Sequence, residues 1–467
     1  MNNHYSILHI SDLHKGENND FDHLYVSLCN DADSYDQVIK KPEIIVVSGD
    51  LAEGANGDDA DKIIQNQYKD VEVFLNKLVN YYLNGDKSRI IIVPGNHDLY
   101  RGATISSMEA IPDEMRDVAK DRYLKGDPNY RWSWKDFCFY RIKNKEEYAS
   151  RFRFFVDFYN RFYNGIRSLN DCDMLNCVID LPEYNIAFAT FNSCYRIDHL
   201  NQIGAIRTDA IAASQTDLSR AFKHGRFIVG VWHHNISGMP TQTNYLDPRI
   251  LHSLMDFHIQ LVLYGHQHHA EALYEYHDIF KQGRITLISS GCLYGRGKAM
   301  PEGTHCQYNI LEIEQNDNKA IVTLHVREDA TAWEIPSWRK KPIEGKDSFT
   351  MEFFLPAIDY GRVLSDIIDQ AKSKKDYKKA VELLIPIRDK VPTADRFIDD
   401  FIKELNGEEI GGLKFVPNTQ TQIDSLLGAC IDIHDWKTFD KTIASVNTED
   451  VNMNSINLLI EMANKIR

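Results

Sequence analysis

"RIIIVPGNHDLY", residues 89–100, joins two unlike halves. Ile90, Ile91, Ile92 and Val93 are apolar at consecutive positions and all β-branched, so both faces of the segment call for burial. That fits a strand inside a sheet covered on both sides. Pro94 and Gly95 stop the run, and Asn96, His97 and Asp98 follow directly. A fully apolar strand that empties into polar side chains suited to metals is what an α/β fold produces, because ligands collect beyond the carboxyl ends of its strands.

Two earlier segments repeat the pattern. "YSILHI" (5–10) runs into "SDLHKG", which carries Asp12 and His14, and "EIIVVSG" (43–49) runs into Asp50. Residues 61–83 place apolar side chains at helical spacing, and the resulting β-α-β rhythm implies a sheet covered by helices. Strands are expected again at "YNIAFATFNS" (184–193), "RFIVGVWHHN" (226–235), "IQLVLYGHQH" (259–268) and "RITLISSGCLYG" (284–295), then as a hairpin from 307–315 and 319–328. Two of these also end in histidines: His233 and His234, then His266, His268 and His269. In extended chain, residues i and i+2 point to one side. Asp12 with His14, and His266 with His268, are therefore expected to face one site, with Gln267 and His269 turned away.

Residues 101–170 interrupt the rhythm and read as a helical insertion. Its aromatic-basic stretch 131–163 is expected to pack its rings on the sheet edge with Lys and Arg in water. A nucleic-acid stacking surface is the weaker alternative, because Asp136, Glu146 and Asp157 are interspersed. A linker is read near 336–348, and helices follow beyond about residue 356. The expected organisation is a catalytic domain over 1–345, with the insertion at about 101–170, and an all-helical domain over 346–467, a candidate partner-binding module. "KDYKKAVELLIPI" (375–387) and "HDWKTFDKTIASV" (434–446) share an Asp-aromatic-Lys opening that would suit a helical repeat.

The chain has 467 residues, 43% of them hydrophobic and 11% aromatic, enough for more than one packed core. A net charge of −15 argues against broad binding to polyanions but leaves room for a local positive site. No apolar run is long enough to span a bilayer. The opening "MNNHYSILHI" lacks a basic segment followed by a long apolar core, so no secretion signal is expected. The 8 cysteines are scattered without a CxxC pair, which fits reduced thiols in a cytoplasmic protein.

Taken singly, each histidine would be a structural residue and each aspartate a turn or cap residue. The ordered set is another matter. Asp12-x-His14, Gly49-Asp50, Gly95-Asn96-His97-Asp98, His233 and Gly265-His266-x-His268 together resemble the calcineurin-like metallophosphoesterase family over roughly residues 5–325. The resemblance implies a four-layer α/β/β/α sandwich and two divalent ions, with Mn favoured and Fe, Zn, Ni or Mg as alternatives. It implies that Asp12, His14 and His268 hold one ion, that Asn96, His233 and His266 hold the other, and that Asp50 bridges them. His97 would touch the substrate phosphate or protonate the leaving oxygen, with Asp98 orienting its ring. Asn96, His97 and Arg101 are the expected substrate contacts, although Arg101 and Lys15 also read as ordinary solvated charges. The implied activity is hydrolysis of phosphate esters by a metal-activated hydroxide, leaning to phosphodiesters of nucleotides or nucleic acid. A phosphomonoesterase acting on proteins or metabolites, and a metal-stabilised interaction protein without turnover, are the alternatives.

Overall fold

The computed structural model describes residues 3–16, 20–35, 38–238, 244–278, 283–295, 300, 303–316, 318–331, 336–446 and 451–467. It divides into two compact units, Met1–Pro356 and Ala357–Arg467. In the first, β1 (Asn3–Ile10), β2 (Ile44–Val47) and β3 (Ile90–Ile92) run parallel, with α1 (Phe21–Tyr35) and α2 (Ala60–Leu83) as the crossovers. Every residue of β2 and β3 is buried, as their unbroken apolar runs require. Helix α2 buries Ile64, Tyr68, Val71, Leu75, Leu78 and Tyr82 along one stripe. It stops at Asn84, which takes the left-handed conformation (φ 54°) that asparagine tolerates better than most side chains.

The insertion contains α3 (Arg101–Ser106), β4 (Met108–Ala110), α4 (Arg116–Leu124), β5 (Tyr130–Ser133), β6 (Cys138–Ile142), α5 (Lys145–Ala149) and α6 (Arg153–Tyr163). It is not purely helical. "RWSWKDFCFYRIK", expected as helix, forms most of an antiparallel β5–β6 pair within a three-stranded sheet. The period is two, not 3.6: Arg131 and Ser133 are buried while Tyr130 and Trp132 are only partly so. The turn is fixed locally, since the Ser133 hydroxyl donates to Asp136 Oδ2 at 2.8 Å and accepts the Asp136 N–H at 3.1 Å. The second half of the stretch behaves as expected. Helix α6 buries Phe154, Phe155, Phe158, Tyr159, Phe162 and Tyr163, and Arg153 and Arg161 pair outward with Asp61 and Glu72.

A second sheet follows: β7 (Val178–Leu181), β8 (Ile186–Thr190), α7 (Thr208–Lys223), β9 (Phe227–Val231), α8 (Ile250–Met255), β10 (Leu261–Tyr264), β11 (Ala270–Asp278) and β12 (Gly283–Ser290), in the order β11-β12-β10-β9-β8-β7. Its two faces sort by alternation. Ile186, Phe188, Val229, Val231, Leu261 and Leu263 join the core shared with β1–β3, while Ala187, Ala189, Ile228 and Val262 pack under α7 and α8. Two sheets thus share one core and each carries helices outside, which is the α/β/β/α sandwich. Finally β13 (Gln307–Gln315), β14 (Lys319–Asp329), β15 (Trp338–Lys341) and β16 (Phe349–Phe354) extend the first sheet, in the order β15-β14-β13-β1-β2-β3 with β16 also on β14. This corrects two boundaries. The expected linker 336–348 supplies an edge strand, and the division falls after Pro356 because β16 belongs to the sheet and not to the helical domain.

The second unit is all helical: α9 (Tyr360–Lys374), α10 (Tyr377–Leu384), α11 (Ala394–Ile402), α12 (Gly407–Gly411), α13 (Gln420–Asp432), α14 (Trp436–Ser445) and α15 (Met453–Ile466) around its own core. The shared Asp-aromatic-Lys openings are N-caps: Asp376 accepts from the Lys379 N–H and Asp435 from the Thr438 N–H. Among the described residues, no helix is long and apolar enough to cross a membrane. Phe158 is fully buried and stacks on Tyr68, ring centroids 5.3 Å apart. Phe158→Ala should cost about 3–5 kcal/mol, read as a shifted midpoint in urea unfolding.

Candidate metal centre

The sandwich carries the polar segments to the carboxyl ends of parallel strands in both sheets. Beyond β1 and β2 the two loops continue as a zipper: the Asp12 N–H donates to the Gly49 carbonyl, His14 N–H to Asp50 and Lys15 N–H to Leu51, each at 3.0 Å. The sheets are tied together where the His266 N–H donates to Asp12 Oδ2 at 3.0 Å. The chains pass so closely that side chains are excluded. A Cβ on Gly265 would lie 1.9 Å from Ser11 Oγ, and one on Gly95 would lie 2.1 Å from Asp50 Oδ1. These two glycines are there for close approach.

Convergence within each pair is achieved, but not by extended chain. Asp12 (φ 54°), His14 (φ 42°), Asp50 (φ 53°), His266 (φ 72°) and His268 (φ 59°) are all left-handed. Non-glycine residues in this region cost energy, and such strain collects at functional sites. Gln267 and His269 are turned toward each other, His269 Nδ1 lying 3.0 Å from the Gln267 carbonyl.

Two overlapping clusters result. His14 Nε2 and His268 Nε2 are 3.1 Å apart, and lie 3.6 and 3.1 Å from Asp12 Oδ1. Across from them, His233 Nε2 is 3.3 Å from Asp50 Oδ2 and 3.1 Å from Asn96 Oδ1. Asp50 Oδ2 is also 3.9 Å from His14 Nε2, so one carboxylate faces both clusters. Ligand atoms of Asp12, Asp50 and His233 all lie within 4.8 Å of one another, as do those of His14, Asp50 and His97. The rings of His233 and His266 stand 5.1 Å apart, and the buried His266 Nε2 has no hydrogen-bond partner. Imidazole nitrogens crowded on shared carboxylates, with a buried nitrogen left unpaired, are a poor arrangement without cations and a suitable one for two divalent ions. His233 is further oriented by the Ser48 carbonyl, 2.8 Å from Nδ1. His234 stands beside the cluster, its ring 4.5 Å from that of His266 and its Nδ1 2.9 Å from Ser193 Oγ.

The electrostatics of the two clusters follow from burial and the two carboxylates. Burial alone would lower the His233 pKa, but the Asp50 carboxylate beside it pushes it up to about 9. Burial would raise Asp50 and Asp12; surrounding imidazoles hold both below the usual carboxylate range. His266, buried and next to His233, is lowered to about 4.

The expected pairing of Asp98 with the His97 ring is not made. His97 Nδ1 lies 3.1 Å from the Glu53 carbonyl. The buried Asp98 carboxylate instead accepts from the backbone N–H groups of Gly95 (2.8 Å), Leu51 (3.1 Å) and Ala52 (3.2 Å) and from the Tyr68 hydroxyl (2.9 Å). A side chain one residue from His97 on a tight loop faces the interior, where loop amides await an acceptor. Asn96, His97, Asp50, His266 and His268 open onto a cavity of about 290 Å³, whose wall also includes Leu99, Arg101, Ile197, His199 and Gln202. Arg101 was expected there; Ile197, His199 and Gln202 carry no motif and were not. Cys292 was missed too: its thiol donates to the Asp12 carbonyl at 3.1 Å, and its Sγ lies within 4.8 Å of the His14 and His268 nitrogens.

Asp50→Asn should lose metal content and activity together, measured by elemental analysis of protein reconstituted with Mn²⁺. Asp98→Asn puts an amide N–H₂ against backbone donors and should cost about 1–3 kcal/mol while lowering metal content. In metal-free protein the His233–Asp50 pair should be pH-dependent. The folded His233 pKa is raised, so its stabilisation is fully present below about 6.5 and is lost as pH rises through about 9. Thermal melts in EDTA should fall across that window, and less so for His233→Asn.

The description "Calcineurin-like phosphoesterase" matches residues 5–270. No curated protein matches the chain. Among solved structures, similarity is found to a dimetal phosphatase from Danio rerio (12% identity, 74% of this chain and 98% of that one, TM-score 0.35). It is also found to the calcineurin-like phosphoesterase YfkN from Bacillus subtilis (12%, 81% and 99%, TM-score 0.29). A third is a 5'-nucleotidase from Candida albicans (15%, 66% and 48%, TM-score 0.31). Likenesses this slight say nothing about substrate. The family match covers more than half of the sequence and all five motifs from Asp12 to His268, and on that ground the chain belongs to the calcineurin-like phosphoesterase family.

Proposed function

We propose that this chain is a dinuclear phosphodiesterase acting on nucleotides or nucleic acid, with Mn²⁺ as its working ion. The observation that carries this reading is the shared carboxylate: Asp50 faces His233 on one side and His14 on the other. Asp12, His14, Asp50 and His268 would hold one ion, and Asp50, Asn96, His233 and His266 the other. Such a pair supplies a Lewis-acid clamp on a phosphate and an activated water. The chain's own residues do the rest. His97 Nδ1 is committed to the Glu53 carbonyl, so proton exchange with substrate occurs at Nε2. Arg101, exposed in the cavity wall, is placed to pair with a phosphate oxygen. One cation beyond the metal residues, beside the apolar Leu99 and Ile197, suits a singly charged diester with two organic arms better than a monoester dianion.

Eight cysteines, none of them in a disulfide, suit a cytoplasmic setting. We assign the C-terminal helices to partner binding, and Leu458, Met462 and Ile466 form an exposed apolar row on α15. A panel with Mn²⁺ tests the activity: bis-p-nitrophenyl phosphate, p-nitrophenyl phosphate, cyclic nucleotides, and single- and double-stranded DNA. Diester turnover should dominate. Monoester preference would overturn the diester reading, and two bound ions with no turnover would favour an interaction protein. His97→Ala should keep its metals while kcat falls by about 10²–10⁴.

A further inference from the structure

The segment between β8 and α7 carries no motif, yet it supplies Ile197, His199 and Gln202 to the cavity. The insertion holds it there. Arg151, fully buried, donates to the Tyr195 carbonyl at 2.6 Å. The buried Asp198 accepts from Arg131 Nε at 2.7 Å and from the Tyr148 hydroxyl at 3.0 Å. It also accepts the N–H groups of Leu200 at 2.9 Å and Asn201 at 2.8 Å. Four donors on one buried carboxylate fix the backbone one residue before His199.

The ring is fixed as well. His199 Nδ1 lies 3.0 Å from Thr104 Oγ1. The single hydroxyl proton of Thr104 is donated to the Arg101 carbonyl at 2.9 Å, so Thr104 offers His199 a lone pair and Nδ1 carries the hydrogen. In the neutral ring Nε2 is then the accepting nitrogen. Burial lowers the His199 pKa, which favours the neutral ring. Among the described residues, His199 Nε2 has no hydrogen-bond partner.

We propose that His199 is a specificity-determining residue, which accepts a hydrogen bond from a hydroxyl or N–H of the leaving group and so selects phosphodiesters whose leaving group is a nucleoside. The inference rests on the phosphodiester reading above. A nucleoside carries such donors on a flat, partly apolar body. The cavity of about 290 Å³ offers it the apolar Leu99 and Ile197 beside the polar His199 and Gln202. An aryl alcohol such as p-nitrophenol, bound as a leaving group, has no donor to give.

The test compares wild type, His199→Ala, His199→Gln and Thr104→Val on thymidylyl-thymidine and on bis-p-nitrophenyl phosphate, with Mn²⁺. Calorimetry of thymidylyl-thymidine binding to the metal-free proteins runs alongside. His199→Ala should lower kcat/KM on the dinucleoside at least about tenfold more than on the aryl diester. Its calorimetric affinity should fall by a similar factor. His199→Gln, which keeps an acceptor near the Nε2 position, should recover part of the loss, and Thr104→Val, which frees the tautomer, should show the same substrate bias as His199→Ala. Equal losses on both substrates, or undiminished dinucleoside affinity, would overturn the proposal. If wild type turned over neither diester, the phosphodiesterase reading would fall, and calorimetry would still decide on His199: weaker binding by the alanine variant upholds its role, equal binding ends it.

Discussion

A buried carboxylate with four donors stands behind the whole site. Asp98 draws in the amides of Gly95, Leu51 and Ala52 and the hydroxyl of Tyr68, and so binds the loop after β3 to the loop after β2 and to helix α2. Burying a charge is costly, and burial together with the Asp50 charge raises the Asp98 pKa to about 6. The donors offset that cost, and what results is a fixed distance between the loops that carry Asp50 and Asn96. Asp50 then accepts the His97 N–H at 2.7 Å, which leaves its other oxygen to face the histidines.

Support continues outward from there. Tyr68, which donates to Asp98, is stacked on Phe158 of the insertion. On the cavity side, Arg131, Tyr148 and Arg151 of the same insertion grip the segment that carries His199. The insertion is thus a frame with two points of attachment, one behind the candidate metal residues and one beside the cavity they open onto. Six of its aromatics pack inward through α6, as expected of the stretch, while Trp134 and Phe137 on the hairpin stay exposed.

The strand-end motifs were legible because strands buried on both faces leave unbroken apolar runs, and a glycine followed by Asp or His then stands out. The α/β/β/α layering came with the resemblance those motifs carry. What stayed illegible has physical reasons. The β5–β6 hairpin is rich in aromatics that suit strand and helix alike, and its turn depends on a Ser133–Asp136 contact that spacing does not reveal. Strand β15 is polar because it lies at a sheet edge, so it reads as linker. The inward turn of Asp98 could not be read from its neighbourhood to His97, since adjacency in a tight loop says little about direction. Asp198 and His199 look like any surface loop until Arg131, 67 positions away, is brought beside them.

The left-handed residues at Asp12, His14, Asp50, His266 and His268 give the chain an inner conflict. Each costs on the order of 1–3 kcal/mol that a glycine there would not. Selection for heat resistance alone would favour glycine at these positions and would erode the chemistry as it hardened the scaffold. All five positions carry an acid or an imidazole and not glycine, so the donor set and the backbone strain come together in this chain.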